Sequence, residues 1–409
     1  MTEEKTLIIG GGAAGLMAGI FSARSGRNTV IAEKNPKVGR KLYITGKGRC
    51  NVTNNCDAKT VIANTPTNGR FLYSALSAFS PADTIAFFEE NGCPLKTERG
   101  GRVFPVSDKA ADIVDTLRSA AVNAGCRFLH KTAEHIIIKN GCISGVKMTD
   151  GSEEECSKLI IATGGRSYPL TGSTGDGYRF AEEAGHTIIP LRPSLVPLET
   201  EEHYGYDADG LLLKNIGIRV LDTKKNKIIY TDFGELELKR WGLSGAVVRS
   251  ASAHMKDMEP GRYKICIDMK PALDEKTLDA RLLREIDSLH TGLFADMLST
   301  LMPRALIGDF AGICGIAADK RCSEITRAER ARVVSCLKSM DRTVSGFRPI
   351  DEAIVTSGGV CVKEIDPKTM QSRLVSGLYF AGEVIDIDCY TGGFNIQAAF
   401  STGFIASRS

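Results

Sequence analysis

The chain carries 12 cysteines but no C-x-x-C pair. Zinc and iron–sulfur ligation therefore have no spacing to stand on, and no metal is expected. No apolar stretch runs uninterrupted for the length of a membrane span, so stable membrane insertion is not expected. Excess charge is missing too: 52 Lys and Arg against 49 Asp and Glu leave a net charge of +3 over 409 residues. The densest basic run, Lys224–Lys225–Asn226–Lys227, sits between two strand-like segments and reads as a solvated hairpin turn. No basic stripe marks a nucleic-acid partner. The first strand-like segment begins within a few residues of the start, leaving no room for a signal peptide. The expected compartment is the cytoplasm, with the thiols reduced. The length allows two or three domains and a sizeable core.

What is present is concentrated at the front. TLIIGGGAAGLMAGIFSARSGRNTVIAEK, Thr6 to Lys34, opens on a short apolar run that reads as a buried parallel strand. Gly10, Gly12 and Gly15 follow with G-x-G-x-x-G spacing, then a helical pattern through Leu16, Ile20 and Phe21, then a second apolar run ending in Glu33. Each position has its physics. Gly10 allows the tight turn, Gly12 lets a pyrophosphate reach the backbone, and Gly15 lets helix and strand pack closely. The helix start presents unpaired N–H groups to phosphate, and Glu33 can accept from a ribose diol. Strand, helix, strand and acid together point to a bound dinucleotide.

The next segment, Asn35 to Asn55, is rich in glycine and basic residues and poor in apolar periodicity. It reads as a loop wrapped on the ligand, with Arg40, Lys41, Lys47 and Arg49 available to phosphate or ring carbonyls. Near the C-terminus, GLYFAGE is another buried strand ending in a carboxylate, Glu383, and Gly392–Gly393 opens a final helix. A nucleotide fold completed by the C-terminal end of the chain is the pattern of FAD enzymes. A carboxylate at that strand end can hold a ribityl hydroxyl. The helix start can aim N–H groups at flavin N1 and O2, where charge accumulates on reduction.

Between these ends the character changes at Pro190, Pro193 and Pro197. Strand-like alternations fill residues 194–270. Residues 274–340 are helical, with Leu278, Leu282, Leu283, Ile286 and Leu289 as one apolar stripe. The fold class expected is α/β: a Rossmann-type FAD-binding domain of the glutathione-reductase and fumarate-reductase kind, with insertions. The division expected is 1–192 for its first part, 193–272 for an antiparallel β-barrel, 273–344 for a small helical domain, and 345–409 for its second part.

Six segments sharpen the reading: ITGKGRCNVTN, GRVFPVSDKA, ATGGRSYPLTGSTGDGY, VTSGGV, DPKTMQS and GLYFAGEVIDID with TGGFNIQ. Together they resemble the YhiN/BaiN-like flavoproteins, also called the aminoacetone-oxidase-like family, over nearly the whole chain. That resemblance implies non-covalent FAD held by Gly10, Gly12, Ala13, Ala14, Gly15, Glu33, Lys34, Arg40, Lys41, Thr45, Gly46, Gly48, Arg49, Cys50 and Asn51 from the first part. Glu134, Ala162, Thr163, Gly164 and Asp176 would follow, and then Gly382, Glu383, Gly392, Gly393, Phe394, Asn395 and Ile396. It also implies an oxidoreductase that saturates a C=C bond conjugated to a ketone, as in a 3-oxo bile acid or steroid, with NAD(P)H as a transient electron donor.

Tyr390, Tyr168, Arg240 and Arg102 are the candidate acid or enolate-stabilising side chains. The chain departs from the family at GELELKRWGLSGA, where Arg240 and Trp241 replace a His–Tyr pair and Ala246 replaces proline, and at Cys389, where glycine is usual. An oxygen-using amine or aminoketone oxidase and a non-enzymatic flavin-binding protein remain alternatives. A fumarate-reductase-like activity needs an Arg and His cluster, and only 6 His occur. The oligomeric state is not set by the sequence.

Overall fold

The computed structural model describes residues 5–409. The chain divides into two compact units: the part up to Ser194 together with Ile350–Ser409, and Leu195–Pro349.

In the first unit, five strands of the described residues form a parallel sheet. Its order is Leu378–Phe380, Lys158–Ile161, Lys5–Ile9, Asn28–Ala32, Arg127–Leu129. A parallel sheet is covered on both faces, which is why its strands are apolar runs and not alternations. Leu7, Ile8, Ile31, Leu159, Ile160, Ile161 and Phe380 are all fully buried. The helix Ala13–Arg24 joins the first two strands as the sequence pattern requires.

At the turn between them, Gly10 has φ +103°, and a side chain there would meet the Ala162 carbonyl at 2.5 Å. A Cβ on Gly15 would lie 1.8 Å from the Gly10 carbonyl oxygen. Only glycine lets helix and strand come this close.

The final helix, Phe394–Arg408, packs on the first helix. Phe404 is its anchor, edge-on to Phe21 at 4.6 Å and stacked on Phe79 at 4.9 Å. Two further antiparallel sheets flank the parallel one: Thr53–Asn54, Arg102–Pro105 and Leu95–Glu98; and Ala133–Lys139, Cys142–Met148 and Glu153–Glu155. Ile188–Ser194 and Val355–Val360 pair antiparallel where the chain leaves and re-enters this unit.

The second unit is a closed barrel with a helical excursion. Around the barrel run Leu198–Thr200, Gly242–Ser244, Lys227–Lys239, Leu212–Asp222, Tyr263–Asp268 and Met340–Phe347. The helices Glu275–Ser288, Phe294–Ser299, Ile307–Cys314 and Arg327–Lys338 lie between the last two of these strands. The segment expected to be helical through residue 344 thus turns back into the barrel at Met340, which pairs with Ile267.

The alternation in that strand is hidden because Arg342 stands at an inward position. Arg342 is buried there, and its Nε donates to the Tyr204 hydroxyl at 2.7 Å. A charged residue on the buried face breaks the apolar period that marks a strand. Within the helical stripe Leu278, Leu282 and Ile286 are buried, whereas Leu283 is exposed. No helix among the described residues is long and apolar enough to cross a membrane.

Candidate functional site

A cleft runs along the C-terminal edge of the parallel sheet, lined entirely by the first unit. Its floor is the Gly10–Ala14 turn with Ala162, Thr163 and Gly164. Gly12 is the N-cap of the first helix, and no side chain caps that helix or places an acid in its first turn. Its leading N–H groups therefore have no partner within the helix. A Cβ on Gly12 would meet nothing within 4 Å, so the backbone here faces open space. An uncapped helix start behind an open glycine is what a diphosphate needs.

Glu33, at the end of the second strand, is held in place. Its Oε2 accepts from the Gly11 N–H at 2.8 Å, and its Oε1 accepts from the Asn35 N–H and from Asn35 Nδ2, both at 2.7 Å. The carboxylate still lines the cleft. Lys34 donates to Thr174 and to Asp176, each at 2.6 Å. Arg40 donates to Asn35 Oδ1 at 2.8 Å.

On the opposite wall, Lys41 Nζ donates to Glu383 Oε2 and to Ser167 Oγ, each at 2.7 Å. Glu383 Oε1 accepts from the Thr356 N–H at 2.9 Å and from Ser167 Oγ at 3.1 Å. The carboxylate expected to hold a ribityl hydroxyl is thus the hub of a network joining three segments far apart in sequence.

The final helix supplies Asn395, Ile396, Ala398, Ala399 and Thr402 to the cleft, and no side chain caps its start. The Asn395 amide is turned back on its own loop. Its Oδ1 accepts from the Cys389 N–H at 2.9 Å, while its Nδ2 donates to the carbonyls of Cys389 at 2.7 Å and Tyr390 at 3.1 Å.

Of the residues nominated from sequence, Gly10, Gly12, Ala13, Ala14, Glu33, Lys34, Arg40, Lys41, Thr45, Ala162, Thr163, Gly164, Asp176, Gly382, Glu383, Asn395 and Ile396 line the cleft. The others do not, each for a visible reason. Gly15 lies beneath the floor against Gly10. Beyond Thr45 the loop turns away with Gly46, whose Cα faces the Phe104 ring and Asn51, and with Gly48.

Arg49 stacks 4.1 Å over Phe104 and pairs with Asp108 and Glu98. Asn51 accepts from the Val103 N–H at 3.2 Å. Cys50 is fully buried, and burial pushes its thiol up to about 12. Glu134 pairs with Lys147 at 3.3 Å, and its neighbours Lys131, Thr132 and Ala133 line the cleft instead. Gly393 is packed on Thr53, and Gly392 lies against Asn54 and the Phe394 ring.

Sequence reasoning missed Asn35, Lys37 and Leu42, which lay inside the predicted wrapping loop without a signal of their own. It also did not nominate Ile354, Val355 and Ile387, which line the cleft.

Of the four candidate side chains, Tyr168, Tyr390 and Arg102 belong to the first unit. Tyr168 sits with its ring 5.9 Å from Lys41 Nζ, and Tyr390 is held through its N–H by the Asn64 carbonyl at 2.9 Å. Arg102 is exposed, its Nε bonded to the Arg99 carbonyl at 3.1 Å. Arg240 belongs to the second unit, stacked 3.7 Å over Tyr206. Cys389 is a packed thiol: Thr65 donates to its sulfur at 3.2 Å, and burial pushes its pKa up to about 12.

The family model of the HI0933-like protein Rossmann domain matches residues 4–409. The chain belongs to the HI0933-like family. This makes it a flavin-dependent oxidoreductase with a Rossmann-type FAD-binding domain. Among its relatives is the 3-dehydro-bile acid delta(4,6)-reductase of Clostridium scindens, 30% identical over 98% of this chain and 98% of that protein. Another is the ribosomal RNA dihydrouridine synthase of Haemophilus influenzae, also 30% identical, over 99% of this chain and 98% of that protein. In fold, this HI0933-like chain is similar to the 3-ketosteroid delta1-dehydrogenase of Sterolibacterium denitrificans. The TM-score is 0.52 at 12% identity, with 99% of each chain covered. The residues of the cleft fit FAD: the open Gly12 backbone, the uncapped first helix and the Glu33 carboxylate suit the adenosine diphosphate half, which FMN lacks.

Proposed function

We propose that this protein reduces a C=C bond conjugated to a carbonyl, on an apolar 3-oxo steroid or bile-acid type of substrate, with NAD(P)H as electron source. The observation that carries this is the full-length likeness to a 3-dehydro-bile acid reductase. When bound, FAD supplies a hydride donor at the ring end of the cleft. The protein's part is to hold the diphosphate at Gly10–Ala14, to orient the ribose by Glu33, and to keep water from the ring with apolar walls such as Leu42, Val355 and Ile387.

The α-carbon also needs a proton. We assign it to Tyr168 or Tyr390, which adjoin the cleft residues Lys41 and Asn395. The domain division given above is part of the same proposal. So is a nicotinamide that visits the ring face, since a second G-x-G-x-x-G is missing from the sequence.

A second reading has equal identity behind it. The ribosomal RNA dihydrouridine synthase relative is named for saturating uridine, whose C5=C6 bond is likewise conjugated to a carbonyl. One class of chemistry covers both, and the substrate separates them.

The test is anaerobic. Reduce the bound flavin, then mix it with a 3-oxo-Δ4 bile acid, with a uridine-bearing ribosomal RNA fragment, or with oxygen. The expected result is re-oxidation by the enone, with a product two mass units heavier. Re-oxidation by the RNA alone moves the protein to the second reading. Rapid discharge by oxygen, with enone and RNA both inert, replaces reductase by oxidase.

A further inference from the structure

The walls of the cleft are tied together behind its surface by one side chain. Gln397 lies on the final helix, turned away from the cleft and fully buried. Its Oε1 accepts from Thr53 Oγ1 at 2.5 Å and from Thr84 Oγ1 at 2.8 Å. Its Nε2 donates to Ser401 Oγ at 3.0 Å and to the Phe79 carbonyl at 3.2 Å. Ser401, one turn on, donates to the same carbonyl at 2.7 Å. Thr53, Thr84 and Ser401 are likewise fully buried.

Four bonds on one buried amide satisfy its whole capacity. Two separate segments, the one at Thr53 and the one carrying Phe79 and Thr84, are thereby held to the first turn of one helix. Beside it, Asn54 Nδ2 donates to the Gly392 carbonyl at 3.0 Å. The partners are not incidental. Thr53 and Asn54 end the wrapping loop whose Thr45 lines the cleft, while Asn395, Ile396, Ala399 and Thr402 line it from the helix.

We propose that Gln397 is a positioning residue: by locking the final helix to the wrapping loop, it sets how strongly the site favours reduced over oxidised flavin. The inference rests on the flavin reading of the cleft. Its physics is that reduction places negative charge on the pyrimidine end of the ring. Uncapped N–H groups at a helix start stabilise such charge only at hydrogen-bonding distance, and the helix dipole acts within about one turn. A helix start free to shift by a fraction of an ångström loses part of that stabilisation. The pyrophosphate grip at the other end of the cleft is untouched.

The experiment measures the ratio of reduced to oxidised bound flavin against a reference dye, with FAD content read in parallel. Gln397→Met keeps the side-chain length and removes all four bonds; Thr84→Val removes one donor at constant shape. Gln397→Glu keeps the oxygen that Thr53 and Thr84 donate to. The expected result is a shift toward oxidised flavin of about tenfold for Gln397→Met, which is about 30 mV for a two-electron couple. Thr84→Val should shift the same way by about threefold, and Gln397→Glu should recover most of the loss.

Ratios within twofold of wild type in Gln397→Met and Thr84→Val, with FAD retained, overturn the proposal. If Gln397→Met does not hold FAD, Thr84→Val decides alone by the same criterion. A wild-type protein that binds no FAD refutes instead the flavin reading on which the proposal stands.

Discussion

Replacing Gly12 by valine separates cofactor binding from folding. The backbone at Gly12 has φ −82° and ψ −168°, a conformation open to any residue, and a Cβ there meets nothing within 4 Å. The fold should accept the side chain at a cost of about 1 kcal/mol or less, the usual penalty for an apolar N-cap in place of glycine. The isopropyl group, however, fills the space through which a diphosphate reaches the N–H groups of the turn. Losing two charge-assisted hydrogen bonds at about 2 kcal/mol each weakens binding by about 4 kcal/mol, roughly a thousandfold in Kd.

Gly15→Val is the contrast. There the Cβ would sit 1.8 Å from a backbone oxygen, so the fold itself should fail. The assay is the flavin absorbance of purified protein, a titration of stripped protein with FAD, and a melting curve for each variant. Gly12→Val should be colourless with a near-wild-type melt, and Gly15→Val should be unstable. Stoichiometric FAD in Gly12→Val, or loss of its melting transition, would refute the placement of the diphosphate.

Denatured wild-type protein should release FAD, with no FMN, as read by chromatography; release of FMN alone would contradict the role given to Glu33. Cys389, buried and pushed up to about 12, should resist iodoacetamide at neutral pH in folded protein and react only on unfolding; labelling in native protein within minutes would count against it. Phe404→Ala removes the ring wedged between Phe21 and Phe79 and should cost about 3 kcal/mol in denaturant unfolding; a loss under 1 kcal/mol would show that the two helices do not depend on it. In the second unit, the Lys320 ammonium and the Thr326 N–H hold Glu329 at about 2, below its ordinary 4.5. Because the folded value is depressed, this stabilisation is fully present above pH 4.5 and lost as pH falls toward 2. Glu329→Gln should therefore be the less stable protein at pH 7, the difference closing below pH 4; equal melts at pH 7 would refute it.

The sequence alone determined whatever depends on local chain geometry. Gly10 needs a positive φ, Gly15 a missing Cβ, and the apolar runs Leu7–Ile9 and Leu159–Ile161 need burial on both faces; such demands are written in neighbouring residues and can be read there. The dinucleotide turn, Glu33 and the return of the chain at Glu383 were legible for that reason. So was the change of architecture after Pro190.

Tertiary structure decided what depends on residues distant in sequence meeting. The buried Arg342 in the last barrel strand is accommodated because the Tyr204 hydroxyl accepts from its Nε, which no periodicity announces. Lys41, Ser167, Thr356 and Glu383 form one network only after the Gly10 turn, the strand ending at Ile161 and the returning chain are stacked side by side. Arg49 looked like a ligand contact and is instead spent on Phe104, Glu98 and Asp108, while Ile354, Val355 and Ile387, which carried no signal of their own, line the cleft. A side chain's type and spacing limit what it can do. Which partner it meets is set by how separate segments dock, and for Gln397 that means Thr53 from one segment and Phe79 and Thr84 from another.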